Sequence, residues 1–224
     1  MRIRIKSIGN KMKRILLILI LVLSQISFSQ NSAEAKKLLN QVSEKVKSYD
    51  NIWIEFKYVL ENSQENIKQE TRGDVVLEGN KYLLNILGTT RLYNGKTLYS
   101  ISPEDEEVTI SNEDFNDEDT ITPSKMLSFY EDGYTYKMDI VQNIKGRKIQ
   151  YVKLTPISSD AEINYILLGI DAQTNHIYNL IEIGKNGTRT TLTVNSFKTN
   201  EQLSKTLFTF DESKYQDYYI NKLD

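Results

Sequence analysis

Two periods divide the chain. Ala35, Leu38, Leu39, Val42, Val46 and Tyr49 recur at the spacing of one helical face, with Lys36, Lys37, Glu44, Lys45 and Lys47 opposite, which predicts an amphipathic first helix. Asn31, with Glu34 three residues on, has the form of a cap at its start. After Asp50-Asn51 the period drops to two: Ile52, Ile54, Phe56, Tyr58 and Leu60 share one side of a strand, and Trp53, Glu55, Lys57 and Val59 share the other. The polar segment from Glu61 to Glu70 reads as a long loop or the ragged ends of two strands. Gly73 to Leu77 and Tyr82 to Ile86 are apolar runs, and Glu78, Gly79, Asn80 and Lys81 between them predict a four-residue hairpin loop. Asn94-Gly95 tolerates the positive φ angles of a type I′ turn and predicts a tight hairpin between Arg91–Tyr93 and Lys96–Tyr99.

Glu107 to Ile110 is a short predicted strand. Thr122-Pro123 then supplies an N-cap and a first-position proline for a helix over Ser124 to Tyr130, closed by Gly133. From Tyr134 the pattern is all strand: Tyr134–Ile140, Lys148–Leu154, Tyr165–Ile170, Ile177–Ile183, Thr188–Phe197 and the short Leu207–Phe210, with Asp171–His176 and Asn186-Gly187 as hairpin turns. About ten or eleven strands and two or three short helices follow, a mainly β (α+β) chain built on a strongly curved antiparallel sheet, open or closed.

Charge changes the picture at the N-terminus. Arg2, Arg4, Lys6, Lys11, Lys13 and Arg14 precede the apolar run Ile15 to Leu23, and Ser27 and Ser29 flank Phe28, so residues 1–29 read as a cleavable signal peptide and residues 30–224 as one exported, periplasmic domain. Met12 is an alternative start, because Lys13 and Arg14 alone give a basic flank. Without that segment 22 Lys and Arg face 30 Asp and Glu, a formal charge of −8, which argues against nucleic acid and against docking on an anionic bilayer. There is no cysteine, so stability has to come from burial and sheet hydrogen bonds.

Candidate chemistry is sparse. The one histidine, His176, sits in a polar turn and reads as an exposed turn residue. The absence of Cys and of a G-x-S-x-G elbow removes the usual nucleophiles, so no enzyme and no catalytic residue is expected. The acidic stretches Glu104–Glu107 and Glu113, Asp114, Asp117, Glu118 and Asp119 lack EF-hand spacing and read as solvated loops, with no metal or cofactor implied. The 14 Tyr and 7 Phe say more. Phe56, Tyr58, Tyr82, Tyr99, Tyr134, Tyr136, Tyr151 and Tyr165 fall on the apolar side of predicted strands, against about thirty residues of helix to cover them. So little helix under-covers so large an apolar face, which predicts a cavity open to a ligand.

In order, the amphipathic first helix, an I-x-I-x-F strand, G-D-V-V-L, K-Y-L-L, Tyr93-Asn94-Gly95-Lys96-Thr97-Leu98-Tyr99 followed by Pro103, the Thr122-Pro123 helix, Leu154-Thr155-Pro156 and Leu207-Phe208-Thr209-Phe210 resemble the LolA-type outer-membrane lipoprotein carriers. The resemblance implies an unclosed antiparallel β-barrel with helices as a lid over an apolar cavity. It implies a periplasmic, monomeric carrier that takes acylated lipoproteins from an inner-membrane ABC transporter toward an outer-membrane acceptor without a cofactor. By carry-over, Ile54, Phe56, Tyr58, Tyr82, Leu84, Ile86, Tyr99, Ile101 and Tyr136 line the cavity, and Leu38, Leu39, Val42, Met126, Leu127 and Phe129 form the lid. Where many members have a basic residue and a proline, the former latching the lid, this chain has Glu78 and Gly79, so a lid held mainly by apolar packing is expected. The alternative from a different class is an envelope module of the same fold that senses lipid or a partner without shuttling it.

Overall fold

The computed structural model describes residues 30–112, 123 and 125–223, with the Met126 side chain outside the description. The expected signal peptide, the acidic cluster at 113–119 and the Thr122 cap lie outside the described residues. A helix, α1, spans residues 30–47. Twelve strands follow: β1 Ile52–Asn62, β2 Ile67–Glu78, β3 Lys81–Ile86, β4 Thr89–Tyr93, β5 Leu98–Ser102, β6 Glu107–Ser111, β7 Tyr134–Ile144, β8 Arg147–Pro156, β9 Ile163–Asp171, β10 Ile177–Gly184, β11 Arg189–Thr199 and β12 Tyr219–Leu223.

All twelve form one sheet in the order β12-β6-β5-β4-β3-β2-β1-β11-β10-β9-β8-β7. It is curved and unclosed, with β12 and β7 as its free edges, as the resemblance implies. Two meanders, β1–β6 and β7–β11, meet through one antiparallel ladder between β1 and β11. One rung pair there is irregular: Ile54 faces Phe197 and Phe56 faces Val194, leaving Asn195 as the extra residue of a bulge.

Several local expectations give way to tertiary demands. Of the two readings of Glu61–Glu70, the ends of two strands holds and the long loop does not: β1 runs to Asn62, β2 starts at Ile67, and the two pair through Asn62 and Ile67. The β2–β3 connection is two residues, not four, since Glu78 pairs with Lys81 across the ladder and through a 2.9 Å ion pair. The β4–β5 loop is four residues, not two. Tyr93 faces Leu98, the Asn94 carboxamide oxygen accepts from the Lys96 and Thr97 amides at 2.9 Å each, and only Gly95 has positive φ. Instead of a helix over Ser124–Tyr130 there are two 3₁₀ turns, Lys125–Leu127 and Phe129–Glu131, and Ser128 between them makes no side-chain cap bond. Leu207–Phe210 is not a strand, whereas β12 pairs parallel with β6. Asn31 does not cap α1; its carboxamide accepts from the Met138 amide at 2.7 Å and donates to the Met138 carbonyl at 3.5 Å, tying the helix to β7.

Alternation gives the sheet an inner face, under α1, and an outer face. Ala35, Leu39 and Val42 of α1 pack with Tyr130 on Val152, Leu154, Ile166, Leu168, Ile170 and Ile177 of the β7–β11 meander. Further along, Val46 and Tyr49 reach a second cluster: Ile52, Ile54, Phe56, Val75, Leu77, Tyr82, Tyr93 and Leu98. On the outer face Ile149, Tyr151 and Ile181 form a third cluster. At the other end of that face the segment after β11 crosses the sheet, with Phe210 stacked on Tyr99 at 4.3 Å and Phe208 beneath Lys81.

Candidate functional site

The register lays the inner face of the first meander out in rows. One row runs Ile52, Leu77, Tyr82, Tyr93 and Leu98, all buried. The next runs Phe197, Ile54, Val75, Leu84, Arg91, Ser100 and Thr109. A third runs Val194, Phe56, Gly73 and Ile86, and beyond it Leu180, Leu192, Tyr58 and Thr71 align. Across these last rows Tyr58, Leu84, Ile86, Leu180, Leu192 and Val194 are only half-buried. The result is a contiguous apolar floor that α1 does not close over.

Gly73 shapes the middle of that floor. A Cβ there would meet the Phe56 ring at 2.7 Å and the Asn85 carbonyl oxygen at 2.5 Å, so only glycine lets the ring lie flat across β2. One carboxylate interrupts the floor's far side. Glu182 aligns with Ile166 and Thr190 on the inner face, and burial holds its carboxyl above the usual carboxylate range.

Of the residues expected to line the cavity, Ile54, Phe56, Tyr58, Tyr82, Leu84 and Ile86 do share this inner face, and Tyr136 lies on it in the second meander, aligned with Leu154. Tyr99 and Ile101 do not. Tyr99 faces Leu92, which faces Leu83 and Val76, and Ile101 faces Val108, so both point to the outer face; Tyr151 and Tyr165 are also on that face. The reason is physical: the chain after β11 covers this end of the outer face, so β3 to β5 are apolar on both sides and alternation alone cannot choose between them. Leu180, Leu192, Val194 and Phe197 are inner-face residues outside the expected set; the first three lie at period-two positions of strands that the sequence does predict, and Phe197 comes to this face only past the Asn195 bulge.

The cover is built from both ends of one polar contact. Leu39 and Val42 are buried beneath α1 with Leu38 at their margin, and Phe129 meets the rings of Tyr130 and Tyr134 edge-on at 5.6 and 5.8 Å. Leu127 touches both inner clusters. Apolar packing is not the whole latch: Glu131 accepts from Lys47 at 2.8 Å and from the Ser43 hydroxyl, which holds its carboxyl below the usual range, and Tyr136 donates to the Tyr130 and Glu131 carbonyls at 2.9 Å each. These contacts rim a cleft of about 370 Å³ between α1 and residues 130–132. Tyr130 is buried, its hydroxyl has no partner among the described residues, and burial drives its pKa up.

His176 is not an exposed turn residue. Its ring stacks on Phe197 at 4.3 Å, and Nε2 lies 2.7 Å from the Tyr49 hydroxyl, so it pins the end of α1 to β11. Burial, and then Lys45, hold its pKa below the ordinary histidine value. Among the described residues no group of His, Asp or Glu is arranged to hold a metal ion.

An uncharacterised conserved protein from Thermus thermophilus has the same fold, with a TM-score of 0.54 at 10% identity over 85% of this chain and 99% of its own. LprF from Mycobacterium bovis aligns with a TM-score of 0.49 at 13% identity, over 78% of this chain and 98% of that one. A LolA superfamily protein from Nitrosomonas europaea aligns at 0.41 and 14% identity, over 79% and 98%. No curated protein sequence matches the chain. The family model for the outer membrane lipoprotein carrier protein LolA matches residues 90–211, more than half of the sequence, and the chain therefore belongs to that family.

Proposed function

We propose that the protein is a periplasmic carrier that binds the acyl chains of lipoproteins on the inner-face floor and moves them from the inner membrane toward the outer membrane. The observation that carries this reading is the floor itself: Tyr58, Leu84, Ile86, Leu192 and Val194 are only half-buried, in contiguous rows on the face that α1 otherwise covers. Each acyl methylene left in water costs about 0.8 kcal/mol, so chains of on the order of 15 carbons need such a surface during transit. Apolar burial is non-directional, so loading and release require no cofactor, only a transporter that hands over the chains and an acceptor that binds them better. Leu127, in contact with both inner clusters, and the Glu131 contacts to α1 make residues 127–131 the part of the cover that moves on loading.

Depletion of the protein tests the reading. Lipoproteins accumulating in the inner membrane is the expected result. Normal lipoprotein sorting in cells lacking any related carrier would overturn it in favour of an envelope module that binds lipid or a partner without transport.

A further inference from the structure

The row that contains Leu84 does not end in apolar residues. Past β3 it continues Arg91, Ser100 and Thr109, and the row beside it continues Thr89, Ser102 and Glu107. The inner face therefore turns from apolar to polar within one strand spacing, about 4.8 Å. The polar end is a depression of about 230 Å³ lined by Thr89, Arg91, Ser100, Ser102, Glu107 and Thr109, together with Ile101. Arg91 is exposed on this surface and has no ion-pair or hydrogen-bond partner among the described residues. A guanidinium carries five donors and cannot shed its charge at any ordinary pH. Between Leu84 and Ser100 in its row, it is placed to meet an anion attached to whatever lies on the floor.

The one carboxylate in the depression is engaged elsewhere. Glu107 Oε1 accepts from the Thr109 hydroxyl at 3.0 Å and from the Asn221 carboxamide of β12 at 3.4 Å. Its negative charge still opposes a second anion nearby, which makes it a useful probe of the same site.

We infer that the β4–β6 end of the inner face is a head-group subsite, in which Arg91, with Ser100 opposite it, binds the phosphate or carboxylate of an amphiphile whose chain lies on the floor at Leu84 and Ile86. This rests on the carrier reading and narrows it: the preferred cargo is an acyl chain with an anionic head. A charge-assisted hydrogen bond contributes about 1.5–3 kcal/mol, so the head should tighten binding by about tenfold or more.

The experiment compares three probes on the purified protein by calorimetry below their aggregation limits: palmitoyl-lysophosphatidic acid, the neutral monopalmitin, and inorganic phosphate. Lysophosphatidic acid is expected to bind at least about tenfold more tightly than monopalmitin, with the Arg91→Gln variant abolishing that preference and leaving monopalmitin unchanged. Glu107→Gln should enlarge the preference, an effect that a merely structural role for this pair would not produce. Equal loss of both amphiphiles in Arg91→Gln, or an undiminished preference, overturns the subsite. Arg91-dependent binding of inorganic phosphate as tight as the lipid overturns it in favour of a free-anion site. If neither amphiphile binds the wild-type protein, the carrier reading fails first and the subsite with it.

Discussion

The two meanders use the same alternating strands for opposite ends. Under the first turns of α1, Val152, Leu154, Leu168 and Ile170 are 0% exposed, an ordinary core. Across the β1–β11 ladder the equivalent inner positions Tyr58, Leu84 and Ile86 are only half-buried, although they too are large and mostly apolar. The residues do not differ in kind; what differs is whether a helix lies over them. A single helix of residues 30–47 is long enough to seal one meander and only the near edge of the other, which turns the remainder into a surface for something else to cover.

The largest effect that tests this contrast is on stability. Leu168→Ala, beneath α1, should cost about 2–5 kcal/mol in urea unfolding, while Leu84→Ala should cost well under half of that. Equal costs would erase the distinction between core and floor. Next, Leu84→Glu or Phe56→Glu should reduce binding of a hydrophobic dye by about tenfold or more, whereas Leu38→Glu, at the sealed side's margin, should leave it nearly intact. Unaltered dye binding in the first two would remove the floor from the site. Smaller still, Glu131→Gln breaks a half-exposed contact with Lys47 and should lower stability by no more than about 1 kcal/mol while speeding exchange of bound dye. Unchanged exchange would exclude these contacts as a latch.

The smallest effect is on pH. His176 has its folded-state pKa held below the unfolded value, so as pH falls the unfolded chain takes up the proton first. Its contribution is therefore intact above the ordinary histidine value of about 6.5 and is lost as pH falls below it. His176→Gln should flatten the stability profile between roughly pH 7 and pH 5, and an identical slope in both proteins would remove His176 from the account.

Much of this architecture is legible in the sequence because β1 alternates cleanly: Ile52, Ile54 and Phe56 are buried and Glu55 is not. The helix face and most hairpins follow from equally local signals. The facing of Tyr99 and Ile101 is not legible, since Leu92-Tyr93 and Leu98-Tyr99 put apolar residues on both sides and the partner of the second side, Phe210, lies more than a hundred residues away. β12 is invisible for the same reason: five residues with weak alternation, paired only with β6. Arg91 carries no signal of its own because a lone cation in a strand reads as solvent-facing, and only the register puts it on the same side as Leu84.

The ladder joining the two meanders has a consequence for how the molecule is made. Ile52 pairs with Thr199, 147 residues later, whereas every other antiparallel ladder joins strands that are neighbours in sequence. Each meander can nucleate by itself, but their union requires closure of a very long loop, the slow kind of contact in folding. During synthesis β1 appears early, pairs with β2, and keeps its other edge open until almost the whole chain has emerged. For that interval its unpaired backbone groups are a template for any passing strand. The same ladder that places Phe56 and Val194 side by side thus makes the nascent chain most vulnerable at the strand on which the finished floor depends.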